Sequence, residues 1–238
     1  DSITQFVLIG IEHIFGGIDH IAFLLALLLL LRSLKVLVWM VTGFTLGHSI
    51  TLALAALGWI IPDLDIVEAA IGFTIALVAV QNIAVLTGNH RQITYFSVAG
   101  LLLIVLINLI WNIGLSALSG LGLALFTLAY LWNSADEHLS ANLRLVTSVI
   151  FGLIHGFGFA SALTETGLAN TQLLPALLGF NLGIELGQIV IIAVVWALLQ
   201  QIRQSRFLTD TRLVIDLVSA ALCGLGLYWF IGRSYGII

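Results

Sequence analysis

Charged side chains are scarce in this sequence. Only 8% of its 238 residues are Asp, Glu, Lys or Arg, against roughly 25% in soluble domains. With 61% hydrophobic residues, that scarcity excludes a soluble fold, because one core of this size cannot hide so much apolar surface. Proline occurs twice, so little interrupts long helices. The single cysteine, Cys223, excludes an intramolecular disulfide and leaves the redox compartment open. Net charge is −4 with no basic block, which excludes nucleic acid as a partner. The only lysine is Lys35, outside any mid-membrane position, so a retinal Schiff base has no anchor. No G-x-x-x-x-G-K-[ST] stretch is present, which removes a P-loop nucleotide site. The alternating ten-residue segments of a membrane β-barrel are missing too.

What is present is a series of long apolar runs rich in glycine, 23 residues in all. A membrane helix needs about 20 such residues, and glycine is commoner in membrane helices than in soluble ones. Eight segments are predicted, at 5–31, 36–59, 67–87, 93–112, 114–132, 145–164, 174–200 and 213–232. The fourth and fifth form one stretch interrupted only by Asn112, Gly114, Ser116 and Gly120; it is too long for one span and is split. Positive charge supports the split. The sequence begins at Asp1 rather than Met, as a mature chain does after loss of a signal peptide, which would place Asp1 outside. Arg32, Lys35, Arg91, Arg144, Arg203, Arg206 and Arg212 then fall inside and only Arg233 outside, the usual bias. The outer joints are acidic, with Asp63, Asp65, Glu68 and Glu165. Trp39, Trp59, Trp111, Trp132 and Trp229 lie near span ends, as an aromatic belt does. The expectation is an all-α polytopic bundle of seven to eight spans in one transmembrane domain, 1–238, with the N-terminus outside.

Ionisable groups in a spanning helix are costly and mark functional sites by default. Counting 1.5 Å per residue from the span ends places Asp19, His20, His48, His155 and Glu185 near one depth, on four segments. Two carboxylates and three histidines suit a divalent transition metal. Isolated hydrogen-bonding roles between helices are the competing reading. His13 precedes His20 by seven residues, about 10 Å on a regular helix, too far for two ligands each about 2 Å from one ion. Either His13 serves a separate outer site or the helix breaks at Gly16-Gly17, as transporter helices do around ions. Asn181 and Gln188 share a face with Glu185 and read as groups orienting its carboxylate. His90 and His138 fall in joints and read as solvated. A short echo links Phe44-x3-His48 with Phe151-x3-His155, a parallel repeat if it is one.

His13-x5-Asp19-His20 resembles the H-x5-D-H signature of the HupE/UreJ family of nickel and cobalt permeases. The stretch from Phe151 to Ala160, with His155-Gly156 at its centre, resembles that family's second histidine–glycine motif, and Phe180 to Gln188 its asparagine–glutamate segment. The family pattern has a proline soon after the first histidine and a second histidine and a glutamate around the later motif. Ile14-Phe15 and Phe157-Gly158-Phe159 stand there instead, so the resemblance is to a divergent branch. It implies a multi-pass protein of the bacterial inner membrane with a periplasmic N-terminus. It also implies that His13, Asp19 and His20 recognise the metal, with His155 and Glu185 contributing.

The leading expectation is therefore a secondary permease rather than an enzyme, with nickel or cobalt as its substrate. Two alternatives stay open: an intramembrane hydrolase holding zinc on the histidines and Asp19, and a b-haem electron carrier with His48 and His155 as axial ligands. The expected partners are the lipid bilayer and a transition-metal ion. Neither an oligomeric state nor a partner subunit follows from the sequence.

Overall fold

The computed structural model describes residues 3–30, 33–111, 113–134, 137–159, 170–204 and 211–238, without the side chains of 30, 137–144, 170–172, 202–204 and 211. Arg32, Asn112, Glu165 and Arg206 and the side chains of His138, Arg144 and Arg203 fall outside that description, as does the end of the predicted segment 145–164. The described residues form helices and no strand: α1 Ile3–Gly16, α2 Ile18–Leu30, α3 Leu34–Ala56, α4 Leu64–Thr87, α5 His90–Trp111, α6 Ala117–Asn133, α7 Glu137–Gly158, α8 Asn170–Gln204 and α9 Thr211–Ser234. The chain is a polytopic helical membrane bundle.

A helix lies at each of the eight predicted positions, but they are not equal. Among the described residues five helices are long and apolar enough to cross a membrane, and six if the bent pair α1–α2 is one span. The expected all-α polytopic bundle is what the described residues form. With 17 residues, α6 reaches about 26 Å, and α7 has 22 residues from Glu137 to Gly158. The split of 93–133 is as expected. Ile113–Ser116 turns the chain, with Gly114 at φ 70°, a left-handed conformation that glycine adopts without steric cost. Arg91 at the start of α5 then sits over the Trp132 ring at the end of α6, 5.8 Å from its centroid.

The helix directions alternate as the eight-segment topology requires. A Cβ at Gly72 of α4 would meet Phe230 and Gly226 of α9, and one at Gly226 would meet Ala76, so these helices are antiparallel. By the same test α3 and α7 run parallel, Gly47 lying against Val149 and Leu153, and Gly156 against His48. Parallel packing also joins α1 to α8, with Gly179 against Ile3 and Gly183 against Val7. Between membrane helices no water is expelled, so close backbone contact at small residues supplies much of the attraction. That is the use of most of these glycines. At the heart of the bundle is α4, 72% buried over its apolar window, whereas α5 is 17% buried and peripheral.

Two end faces are fixed by polar contacts. Arg212, at the start of α9, donates to the Leu86 carbonyl at the end of α4 (2.7 Å). At the opposite face Arg233 pairs with Glu68 (2.6 Å), and Tyr235 donates to Asn108.

Candidate metal site

The site is built around a break. α1 and α2 meet at Gly17 with a bend of 71°. Hydrogen bonding survives on both sides, from Gly17 N to His13 O (2.9 Å) and from Ile21 N to Gly17 O (3.1 Å). A side chain at Gly17 would press on the pair that follows it, its Cβ lying 2.7 Å from His20 Nδ1 and 3.0 Å from Asp19 Oδ1. The bend carries His13 back onto His20, their ring centroids 4.8 Å apart. Of the two ways to accommodate His13, the structure has the broken helix, and the separate outer position for His13 is corrected.

Four helices thus converge. Ligand atoms of His13, His20 and His48 lie within 4.8 Å of one another, as do those of Asp19, His20 and His155. His20 belongs to both sets. His48 on α3 is fully buried, His155 on α7 is 1% exposed and His20 4%. The parallel echo between Phe44-x3-His48 and Phe151-x3-His155 has a geometric meaning, since the backbones of α3 and α7 touch at Gly47 and Gly156, each next to its histidine, and at Gly152 against Phe44.

Hydrogen bonds assign the free nitrogens. Thr74 Oγ1 on α4 donates its one proton to Ile71 O (2.8 Å), so its contact with His155 Nε2 at 3.1 Å must be accepted. His155 therefore carries its hydrogen on Nε2 and keeps a lone pair on Nδ1. His20 Nδ1 donates to Asp19 Oδ1 (3.1 Å), which leaves Nε2 with the lone pair. Those two nitrogens, His13 Nε2 and both nitrogens of His48 are buried without a hydrogen-bond partner. An orphaned buried polar atom costs about 1–3 kcal/mol, and several aimed at one place fit a bound cation. Carboxylate or hydroxyl groups holding the far side of a histidine are the usual supports of metal ligands; Asp19 and Thr74 take that part.

Aromatic rings wall the cluster. Phe159 lies 4.1 Å from His13 between centroids and stacks on Phe180 at 4.6 Å. Phe44 packs against both His48 and His155. One side is open: a cavity of about 360 Å³ reaches His13, Asp19, His20 and His155 but not His48, and its wall extends to Glu68 and Arg233.

Glu185 belongs to neither ligand set; it accepts from Thr42 Oγ1 at 2.8 Å. Gln188 does not orient it, but accepts from Thr45 Oγ1 at 2.9 Å. Asn181 stands beside His48 short of hydrogen-bond geometry, with its own Oδ1 unpartnered. Thr42, Thr45 and Thr74 are site residues that the sequence reading passed over. The spacing Thr42-x2-Thr45-x2-His48, a polar row near one helix face, was the available signal.

A family model described as HupE / UreJ protein matches residues 1–128 and 92–233. No curated protein and no solved structure matches the chain. The two matches run across the histidine cluster and nearly the whole bundle, so this chain belongs to the HupE/UreJ family.

Proposed function

We propose that the protein is a permease for a divalent transition metal, nickel or cobalt, and that the ion is its cargo at the histidine cluster. The observation that carries this is the set of unpartnered imidazole nitrogens gathered from four helices. Imidazole suits Ni²⁺, Co²⁺ and Zn²⁺, whereas Mg²⁺ and Ca²⁺ take oxygen. In this reading the cavity admits the ion from the Glu68–Arg233 face, the periplasmic side of a bacterial inner membrane, where the N-terminus also lies. His13, Asp19, His20 and His155 face the cavity and receive it. Because His20 is common to both sets, it hands the ion to His48, which the cavity does not reach, without full rehydration. An inward-moving divalent cation gains about 4.6 kcal/mol per 100 mV of membrane potential, enough to drive uptake without nucleotide.

A resident zinc with hydrolytic chemistry is the second reading, favoured by the polar cavity beside Asp19 and His155. Zinc retained after purification, together with cleavage of a lipid-like substrate, would support it. The b-haem reading loses its basis. His20 and Phe44 each contact both His48 and His155, which leaves no slot for a macrocycle between those rings.

Radiolabelled Ni²⁺ uptake into cells, with Co²⁺ as competitor, tests the proposal. Wild type should accumulate Ni²⁺, and Asp19→Ala/His20→Ala at equal level should not. Equal accumulation by both would reject the path through the cluster.

A further inference from the structure

We propose that Thr42, Thr45, Glu185 and Gln188 form a second station for the ion, made of oxygen donors and lying beyond the histidine cluster on the side away from the cavity. The inference rests on the permease reading and extends it.

Its position follows from two helices. Thr45 and Thr42 precede His48 on α3 by three and six residues, about 4.5 and 9 Å along the axis. The cavity meets the cluster from the other side, along His155 and Gly158 of α7 and Phe159 just after it. α7 runs parallel to α3, with Gly156 against the His48 carbonyl. The cavity therefore lies beyond the C-terminal side of His48, and the threonines on its N-terminal side, toward Lys35. Cavity, cluster and threonine row occupy successive levels.

The chemistry differs from that of the cluster. Thr42, Thr45 and Gln188 offer neutral oxygens and Glu185 a carboxylate. Glu185 lies within the apolar window Leu173–Gln201 of α8, where an ionised carboxylate is costly unless a cation or polar groups compensate it. Its one described hydrogen bond engages Oε1. Thr45 divides its single proton between Val41 O at 3.1 Å and Gln188 Oε1 at 2.9 Å, so its lone pairs remain available. Between the two levels Asn181 Oδ1 is buried and unpartnered. It lies beside His48 and one turn before Glu185 on the same helix. An oxygen set holds Ni²⁺ or Co²⁺ less tightly than imidazoles do. A weaker station downstream of a tight one is what release requires, since conduction needs sites an ion can leave.

Co²⁺ titration of the purified full chain in detergent, followed by visible absorbance and by equilibrium binding, tests this. Wild type should bind a first ion with the intense bands of nitrogen-rich low coordination. A second should bind more weakly and add little absorbance, as six-coordinate oxygen sites do. Glu185→Gln should weaken the second ion by about ten- to a hundredfold, leave the first unchanged and slow Ni²⁺ uptake. If that variant fails to insert, the isosteric Thr42→Val takes its place in the same comparison. A single ion in wild type, an unaltered second ion in the variant, or loss of the intense bands in Glu185→Gln would each overturn the inner station. Wild type binding no Co²⁺ at all would overturn the permease reading, and this inference with it.

Discussion

The rings of His13 and His20 meet edge to face with centroids 4.8 Å apart, although seven residues separate them and a straight helix would hold them about 10 Å apart along its axis. The bend at Gly17 produces the contact. Gly17→Ala puts a methyl group 2.7 Å from His20 Nδ1 and displaces the Asp19–His20 pair. Co²⁺ binding should weaken by about ten- to a hundredfold, while circular dichroism shows helix content unchanged. Wild-type affinity in this variant would mean that the bend does not position the ligands.

Thr74 sets which nitrogen of His155 faces the cluster. Thr74→Val keeps the volume and removes the acceptor for Nε2–H. The ring is then free to turn or change tautomer, and a loss in metal affinity of about ten- to a hundredfold is expected. Thr74→Ser should restore most of it, a rescue that a purely volumetric role would not give.

The crossing of α3 and α7 depends on Gly156, where a Cβ would strike the His48 carbonyl and Thr51. Gly156→Val should destabilise the bundle by about 1–3 kcal/mol, the usual cost of overpacking, seen as a lower Tm in detergent. Gly224 on α9 has open space around its Cβ position, and Gly224→Ala should leave Tm unchanged. Equal behaviour of the two would contradict the close-contact account of helix association.

At the cavity wall the Glu68 carboxylate attracts a cation and the Arg233 guanidinium repels it; the two pair at 2.6 Å. Glu68→Gln should raise KM for uptake and Arg233→Gln lower it, each by about three- to tenfold at low ionic strength, with kcat little changed. Both effects should shrink as salt screens them. Shifts in the same direction would remove this face from the ion's route.

Much of this was legible in the sequence. Run length and positive charge located the helices and the turn between α5 and α6. Depth counting brought Asp19, His20, His48 and His155 to one level. A depth count carries neither azimuth nor side-chain reach. Glu185 counts to the level of the histidines, but Gly183, two residues earlier, faces Val7 of α1, and Glu185 meets Thr42, six residues before His48 on α3, a level beyond the histidines. His13 depended on which of two conformations Gly16-Gly17 takes, and local composition permits both. Thr74 left no signal, because a threonine in a membrane helix usually bonds its own backbone, as this one does to Ile71.

The central claim is that the buried histidines hold the transported metal. X-ray absorption at the nickel edge of the purified, Ni²⁺-loaded protein tests it most directly. The account predicts a first shell dominated by imidazole nitrogen, with the outer scattering of several rings, diminished in His48→Ala and His155→Ala. A shell of oxygen alone, unchanged by those substitutions, would contradict it.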